Sequence, residues 1–273
     1  MLFRNFNRGI SYPPCTYPYL CTAMQKLQRY FLEIAYRGTN YSGWQVQPNA
    51  PTIQAEVNLA LQRLFKDPEV YCVGCGRTDA GVHASQYFLH FDASPEVPEN
   101  FFFKINRMLG DDIAIKRVLP LHYNAHSRFD ARRRTYHYHI HYKENPFLKG
   151  LSYFYFSEWD LDKMNEVVTL LLQYKDFSPL SKHNPDNKTT LCDVSHALWV
   201  HNEEEGRLRF EISANRFLWN MVRMITGLSL MVGRGRMNLD EVKSVMDEVG
   251  QFHYIMPVPP QGLYLTKVEY PYL

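Results

Sequence analysis

The greatest chemical potential lies in one short run, Gly74-Cys75-Gly76-Arg77-Thr78-Asp79-Ala80-Gly81-Val82-His83. Arg77 stands two residues from Asp79 among small side chains. A guanidinium beside a carboxylate favours the charged form, which is the form that attacks as a nucleophile. Glycines let a substrate come close to the backbone. The same composition also suits a plain turn between two strands. Gly74 and Gly76 begin like a dinucleotide fingerprint, but the third glycine position is Asp79 and no helical pattern follows, so that reading fails. Cys72 and Cys75 form a C-x-x-C. Zinc needs two further ligands, and Cys15 with Cys21 does not supply them, so no metal is expected there.

A second group is the row His137, His139 and His141, whose alternation puts all three on one face of a strand. It reads either as a metal site lacking a carboxylate or as ordinary strand histidines. The opposite face carries Arg132, Arg134, Tyr136, Tyr138 and Tyr142, with Arg128 and Arg133 close by. Residues 126–143 hold five Lys or Arg against Asp130, a local +4. Cations interleaved with aromatics suit phosphate contacts beside base-stacking rings. A third segment, 207–236, has six Arg against Glu211, a local +5. Read as one helix from about Arg216, it places Arg216, Asn220, Arg223 and Gly227 on a narrow polar stripe of an otherwise apolar surface. An arginine so placed needs an anion, either a structural Asp or a substrate phosphate.

These residues sit in a chain of 273 residues with 45% hydrophobic and 21% charged side chains, ordinary globular values that exclude disordered and collagen-like classes. The net charge is +2, so the two basic segments leave −7 for the remainder. The chain is polarised rather than uniformly basic, with its cations concentrated in two segments and its acids elsewhere. The longest apolar stretch, Met224 to Val232, is too short to span a membrane. Five irregularly spaced Cys argue against a disulfide framework and for a reducing, cytoplasmic setting. Residues 1–26 carry Arg4, Arg8, Pro13, Pro14 and Pro18 and read as a flexible leader before Met24 and the first strand, or as a start placed too early.

The elements that must position the chemistry read as an α+β protein. Strands are expected at 29–36, 69–73, 85–92, 113–119, 122–129, 135–142, 191–201, 207–213 and 263–270. Helices are expected after Thr52, near 99–108, after Asp160, from about Arg216 and from Asn238. A polar loop covers 181–189. Two successive mixtures of strands and helices imply two lobes, 27–145 and 146–273.

In order along 27–273, the chain resembles the TruA family of tRNA pseudouridine synthases. The matching segments are Tyr41-Ser-Gly-Trp-Gln45, Gly76-Arg-Thr-Asp-Ala-Gly-Val-His83, His126-Ser-Arg-Phe129, Arg134-Thr-Tyr136-His-Tyr138, Asn220-Met-Val-Arg-Met224 with Gly227, and Gly262-Leu-Tyr-Leu265. The resemblance implies a pseudouridine-synthase fold with two similar lobes, mixed and antiparallel sheets and a central cleft. It implies a homodimer, free of metal and organic cofactor, that isomerises uridine at positions 38 to 40 of the tRNA anticodon arm. Asp79 matches the catalytic aspartate and Arg77 the arginine that pairs with it. Arg223 matches a helix arginine near the aspartate, Tyr136 a tyrosine on the target base, and Leu265 a residue of the uracil pocket.

The chemistry agrees with that implication. The isomerisation exchanges an N–C glycosidic bond for a C–C bond without redox change, so no cofactor is required. Attack at C1′ of the ribose and addition at C6 of the ring both remain open. The base must leave its stack, at a cost of a few kcal/mol. Phosphate contacts from Arg128, Arg132, Arg133 and Arg216 are expected to offset it. The rival readings are an RNA-binding or chaperone relative, a synthase with another RNA target, and a metal-dependent hydrolase built on the histidine row.

Overall fold

The computed structural model describes residues 27–93, 97–185 and 187–273. The leader expected over 1–26 lies outside the described residues. In chain order the strands and helices are β1 (Gln28–Tyr36), α1 (Ile53–Phe65), β2 (Val73–Gly74), β3 (His83–Ala93), α2 (Phe101–Met108), β4 (Ile113–Leu121), β5 (Arg133–His141), β6 (Tyr153–Phe154), α3 (Leu161–Leu171), β7 (Val194–Asn202), β8 (Arg207–Ala214), α4 (Met221–Gly233), α5 (Leu239–Asp247) and β9 (Leu263–Glu269).

Local chemistry accounts for the helix starts. Thr52 accepts a hydrogen bond from the Ala55 N–H at the head of α1, and Asp160 accepts from Asp162 and Lys163 at the head of α3. Asn238 and Glu241 form a reciprocal capping box on α5.

One sheet runs through the molecule in the order β4-β1-β3-β9-β5-β8-β7, with β2 paired to β3 and β6 to β5. Strand β9 closes it. It runs parallel to β3, with His83 opposite Tyr264 and Ala84 opposite Leu265, and antiparallel to β5, with Tyr136 opposite Leu265. The last strand in the chain thus joins strands from residues 28–121 to strands from 133–214. The boundary drawn at 145 falls just after β5, whose neighbours β8 and β9 both come from later in the chain. Helices α1 and α2 contact each other, and α2 reaches β4; α3 packs with α4 and α5 and lies against β7. Phe31, Tyr87, Phe88, Phe91, Tyr138 and Phe210 are fully buried along the sheet. Each large apolar side chain so buried contributes roughly 1.5–3 kcal/mol.

Three expected elements differ. The strand predicted at 69–73 is only Val73–Gly74. Segment 122–129 is a set of turns rather than a strand. There the Asp130 carboxylate accepts the His126 N–H, while Ala125 and Asp130 donate to the His122 and His126 carbonyls, so the backbone satisfies itself locally. The helix predicted from Arg216 starts at Met221. Asn215 Oδ1 takes the Arg216 and Asp193 amides, and Asn220 adopts the left-handed region with φ 62°, which a helix interior does not accommodate. Arg216 and Arg223 therefore do not share a helical stripe.

Candidate active site

The loop between β2 and β3 is pinned at nearly every residue. The Cys75 N–H donates to the Phe88 carbonyl at 2.8 Å, and the Tyr87 hydroxyl donates to the Gly76 carbonyl. Thr78 is buried, its hydroxyl 2.8 Å from that of Tyr36 and its carbonyl accepting the Trp44 N–H at 3.1 Å. Gly81 donates to the Tyr41 carbonyl, and Val82 donates to that of Asp79. Gly43, at φ 94°, lies under the loop so closely that a Cβ there would sit 2.5 Å from the Thr78 carbonyl oxygen. The Tyr41–Gln45 segment is therefore the floor on which Asp79 is mounted.

Asp79 faces an open cavity of about 910 Å³ between the loop, the start of β5 and the segment leading into α4. Its carboxylate forms an ion pair with Arg223, Oδ2 to Nη1 at 3.4 Å. Arg223 also donates from Nε to the Val258 carbonyl at 2.6 Å and from Nη1 to Asn220 Oδ1 at 3.0 Å. Arg77, expected from sequence to be the aspartate's partner, is exposed, lines the same cavity and makes no ion pair with Asp79. The nearer guanidinium comes from α4 because that helix projects Arg223 across the cavity, while Arg77 points to solvent.

Tyr136 lines the cavity and is 9% exposed, with Phe217 packed edge-on against it at 5.1 Å. Burial pushes its phenol well up, so it stays protonated at neutral pH. Leu265, expected in the pocket wall, is buried between Tyr136 and Ala84 in the sheet; Leu263, two residues earlier on the same face of β9, lines the cavity instead. Leu265 thus stands beside Tyr136 in the sheet.

Of the four arginines expected to contact phosphate, Arg128 and Arg216 line the cavity, whereas Arg132 and Arg133 are exposed away from it. Arg134, read from sequence as part of the basic face, is committed to the fold. Its guanidinium donates to the Cys75, Arg128 and Asn215 carbonyls, tying three walls of the cavity together. Among the described lining residues six are cations (Arg77, Arg128, Arg134, Lys188, Arg216 and Arg223) and Asp79 is the one acid. Sequence reasoning read 181–189 only as a polar loop; its Asn184, Asn187 and Lys188 form a further wall. Trp219, three residues after Arg216, lines the cavity as well, and neither strand alternation nor helical periodicity singles it out.

The histidine row lies elsewhere. His137, His139 and His141 stand opposite Glu211, Arg209 and Arg207 of β8. Burial pushes all three imidazoles down, His139 to about 4, with neighbouring His137 and Arg209 adding to the shift. Two arginines facing the row repel a cation. Among the described residues no three His, Cys, Asp or Glu are grouped to hold a metal ion. Cys72 and Cys75 are both fully buried.

A mixed α/β fold with one long mixed sheet and a basic cavity around one aspartate is consistent with the pseudouridine-synthase class. A profile of the tRNA pseudouridine synthases matches residues 171–271. Similar proteins include tRNA pseudouridine synthase A of Bacteroides fragilis, 42% identical over 90% of this chain and 97% of the relative. That of Porphyromonas gingivalis is 39% identical over 90% and 98%, and that of Caldicellulosiruptor bescii 33% over 89% and 100%. The chain belongs to the TruA family of tRNA pseudouridine synthases.

Proposed function

We propose that this tRNA isomerase converts uridine to pseudouridine in the anticodon arm, at positions 38 to 40, with Asp79 as the nucleophile and the target base flipped out of its stack. The carboxylate attacks C1′ of the ribose or C6 of the ring. The N1–C1′ bond breaks, the base turns, C5–C1′ forms as the bond between Asp79 and the substrate is released, the C5 proton leaves to solvent and N1 takes up a proton. One bond is exchanged for another with no redox change, so the reaction calls for no cofactor.

The observation that carries the reading is a single acid, Asp79, held by Arg223 in a cavity whose other described charges are all positive. A polyanion enters such a cavity favourably, and its phosphates find Arg128, Arg216 and Lys188. Tyr136 is an apolar wall for the extruded uracil and Arg77 a mobile cation at the rim. Arg132 and Arg133, outside the cavity, contact the tRNA body. The family resemblance adds a homodimer working in the cytoplasm, a state that sedimentation of the purified chain reads directly.

Pseudouridine mapping of total tRNA from cells with and without the gene tests the assignment. Loss of pseudouridine at 38 to 40 supports it. Loss at other positions moves the target, and tRNA binding without tritium release from C5-labelled uridine would make the chain an RNA chaperone.

A further inference from the structure

Four tryptophans occur in the chain, and three are packed away. Trp44 and Trp199 are 3% and 2% exposed, while Trp159 is half-buried against Tyr142 and His201. Trp219 is 43% exposed and lines the cavity that holds Asp79. An isolated exposed apolar ring needs no explanation by itself. This one is different in how it is held and where it stands.

The ring is fixed from behind. The Lys182 ammonium sits 4.4 Å from the centroid of the indole, and the Lys182 N–H donates to the Trp219 carbonyl at 2.9 Å. Lys182 does not line the cavity, so the part of the indole facing the cavity is left to a ligand. Among the described residues no other aromatic ring stacks on it. Trp219 is also tied to the reacting group. Its chain neighbour Asn220 accepts from Arg223, and Arg223 is paired to Asp79. Arg216, on the same segment, and Lys188, on the loop that carries Lys182, place positive charge beside the ring.

We propose that Trp219 is a stacking platform for a nucleobase adjoining the one that reaches Asp79. A flat, immobilised ring beside phosphate-binding cations is the arrangement by which proteins hold unpaired bases without reading their sequence. It captures the neighbour that loses its partner when the target leaves the stack, and so limits the cost of opening the RNA. The inference rests on the proposed function for the identity of the target, but not for the contact itself.

Intrinsic tryptophan emission of the full chain, titrated with an unmodified tRNA transcript, reads the contact directly. The Asp79→Asn background separates binding from turnover. Stacking on Trp219 quenches emission, and the tRNA-dependent quench disappears in Trp219→Phe. In steady-state assays Trp219→Leu, which keeps apolar bulk without a π face, raises KM by about five- to one-hundred-fold, and Trp219→Phe recovers most of that loss. A quench that persists in Trp219→Phe, or a Leu variant that binds tRNA as tightly as the parent, overturns the platform. Quenching by a tRNA that is not modified at 38 to 40 leaves the platform standing and removes the anticodon assignment.

Discussion

Arg223 Nη1 lies 3.4 Å from Asp79 Oδ2, although the two residues are 144 apart in the chain. The same guanidinium reaches Val258 and Asn220, so one side chain clamps the Asp79 loop, the start of α4 and the segment before β9. Lysine carries its three donors on one nitrogen and cannot span acceptors that the guanidinium reaches from separate nitrogens. Arg223→Lys is expected to lower kcat by about 10²-fold or more. Its melting temperature should fall by several degrees, as buried acceptors lose their donor at ~1–3 kcal/mol. Tritium release and calorimetry on the same preparation measure both.

Asp79→Asn keeps the volume of the side chain and removes the proposed nucleophile. Turnover should drop by ~10³-fold or more, because no other described acid lines the cavity to replace it. tRNA affinity should stay within a few-fold, since the cations that bind phosphate are untouched. Gel-shift and tritium-release assays separate the two quantities.

Much of this arrangement is legible in the sequence because it is written locally. Thr52, Asp160 and Asn238 announce their helices by capping chemistry, and the alternation in β5 predicts which side Tyr136 takes. What escapes is whatever depends on distant pairing. Arg77 is nearest to Asp79 in the chain, but Arg223 is the ion-pair partner. Arg134 resembles a phosphate ligand until its four carbonyl partners, from residues 75, 128, 131 and 215, are brought together. Leu263 and Leu265 share a face of β9 and are indistinguishable by pattern, and only the position of the cavity separates them. The early helix start fails for a local reason that periodicity overlooks, the left-handed Asn220.

Gly43→Ala tests the floor beneath the loop. Its φ of 94° disfavours any side chain, and the added Cβ would meet the Thr78 carbonyl oxygen at 2.5 Å and the Asp79 carbonyl carbon at 3.2 Å. The expected cost is about 1–3 kcal/mol of stability. A fall in kcat that exceeds the fall in tRNA affinity should accompany it, because the displaced atoms belong to Thr78 and Asp79, in the loop that faces the cavity. Urea unfolding and single-turnover rates check the pair.

Acid should weaken the fold through two histidines that do not line the cavity. Burial holds His139 and His90 at about 4, helped by His137 and Arg209 for the first and by Arg29 and His126 for the second. The unfolded chain protonates near 6.5 and the folded chain does not, so stability is full above about 6.5, declines as pH falls to about 4 and levels off below. By pH 5 each group contributes about 1–2 kcal/mol of that loss. Denaturant titrations at pH 7.5 and 5 should show a smaller drop for His139→Asn than for the parent.

The three described cysteines, Cys72, Cys75 and Cys192, should be inert in the native protein. Cys75 and Cys192 are pushed up by burial to about 11, and Cys72 is pushed higher still. Iodoacetamide at pH 8 is expected to leave all three unlabelled until guanidinium is added, with mass mapping as the readout. Rapid native labelling of Cys72 or Cys75 would mean that the loop beside Asp79 opens.

Strand β9 is made after every other strand, yet it occupies the middle of the sheet. On the ribosome, β3 and β5 wait with their facing edges unpaired until residues 263–269 emerge. The wall carrying Leu263 and the sheet neighbour of Tyr136 arrive in that same moment. A chain cut before residue 263 would carry the whole Asp79 loop and the cations around it, with β3 and β5 left unjoined.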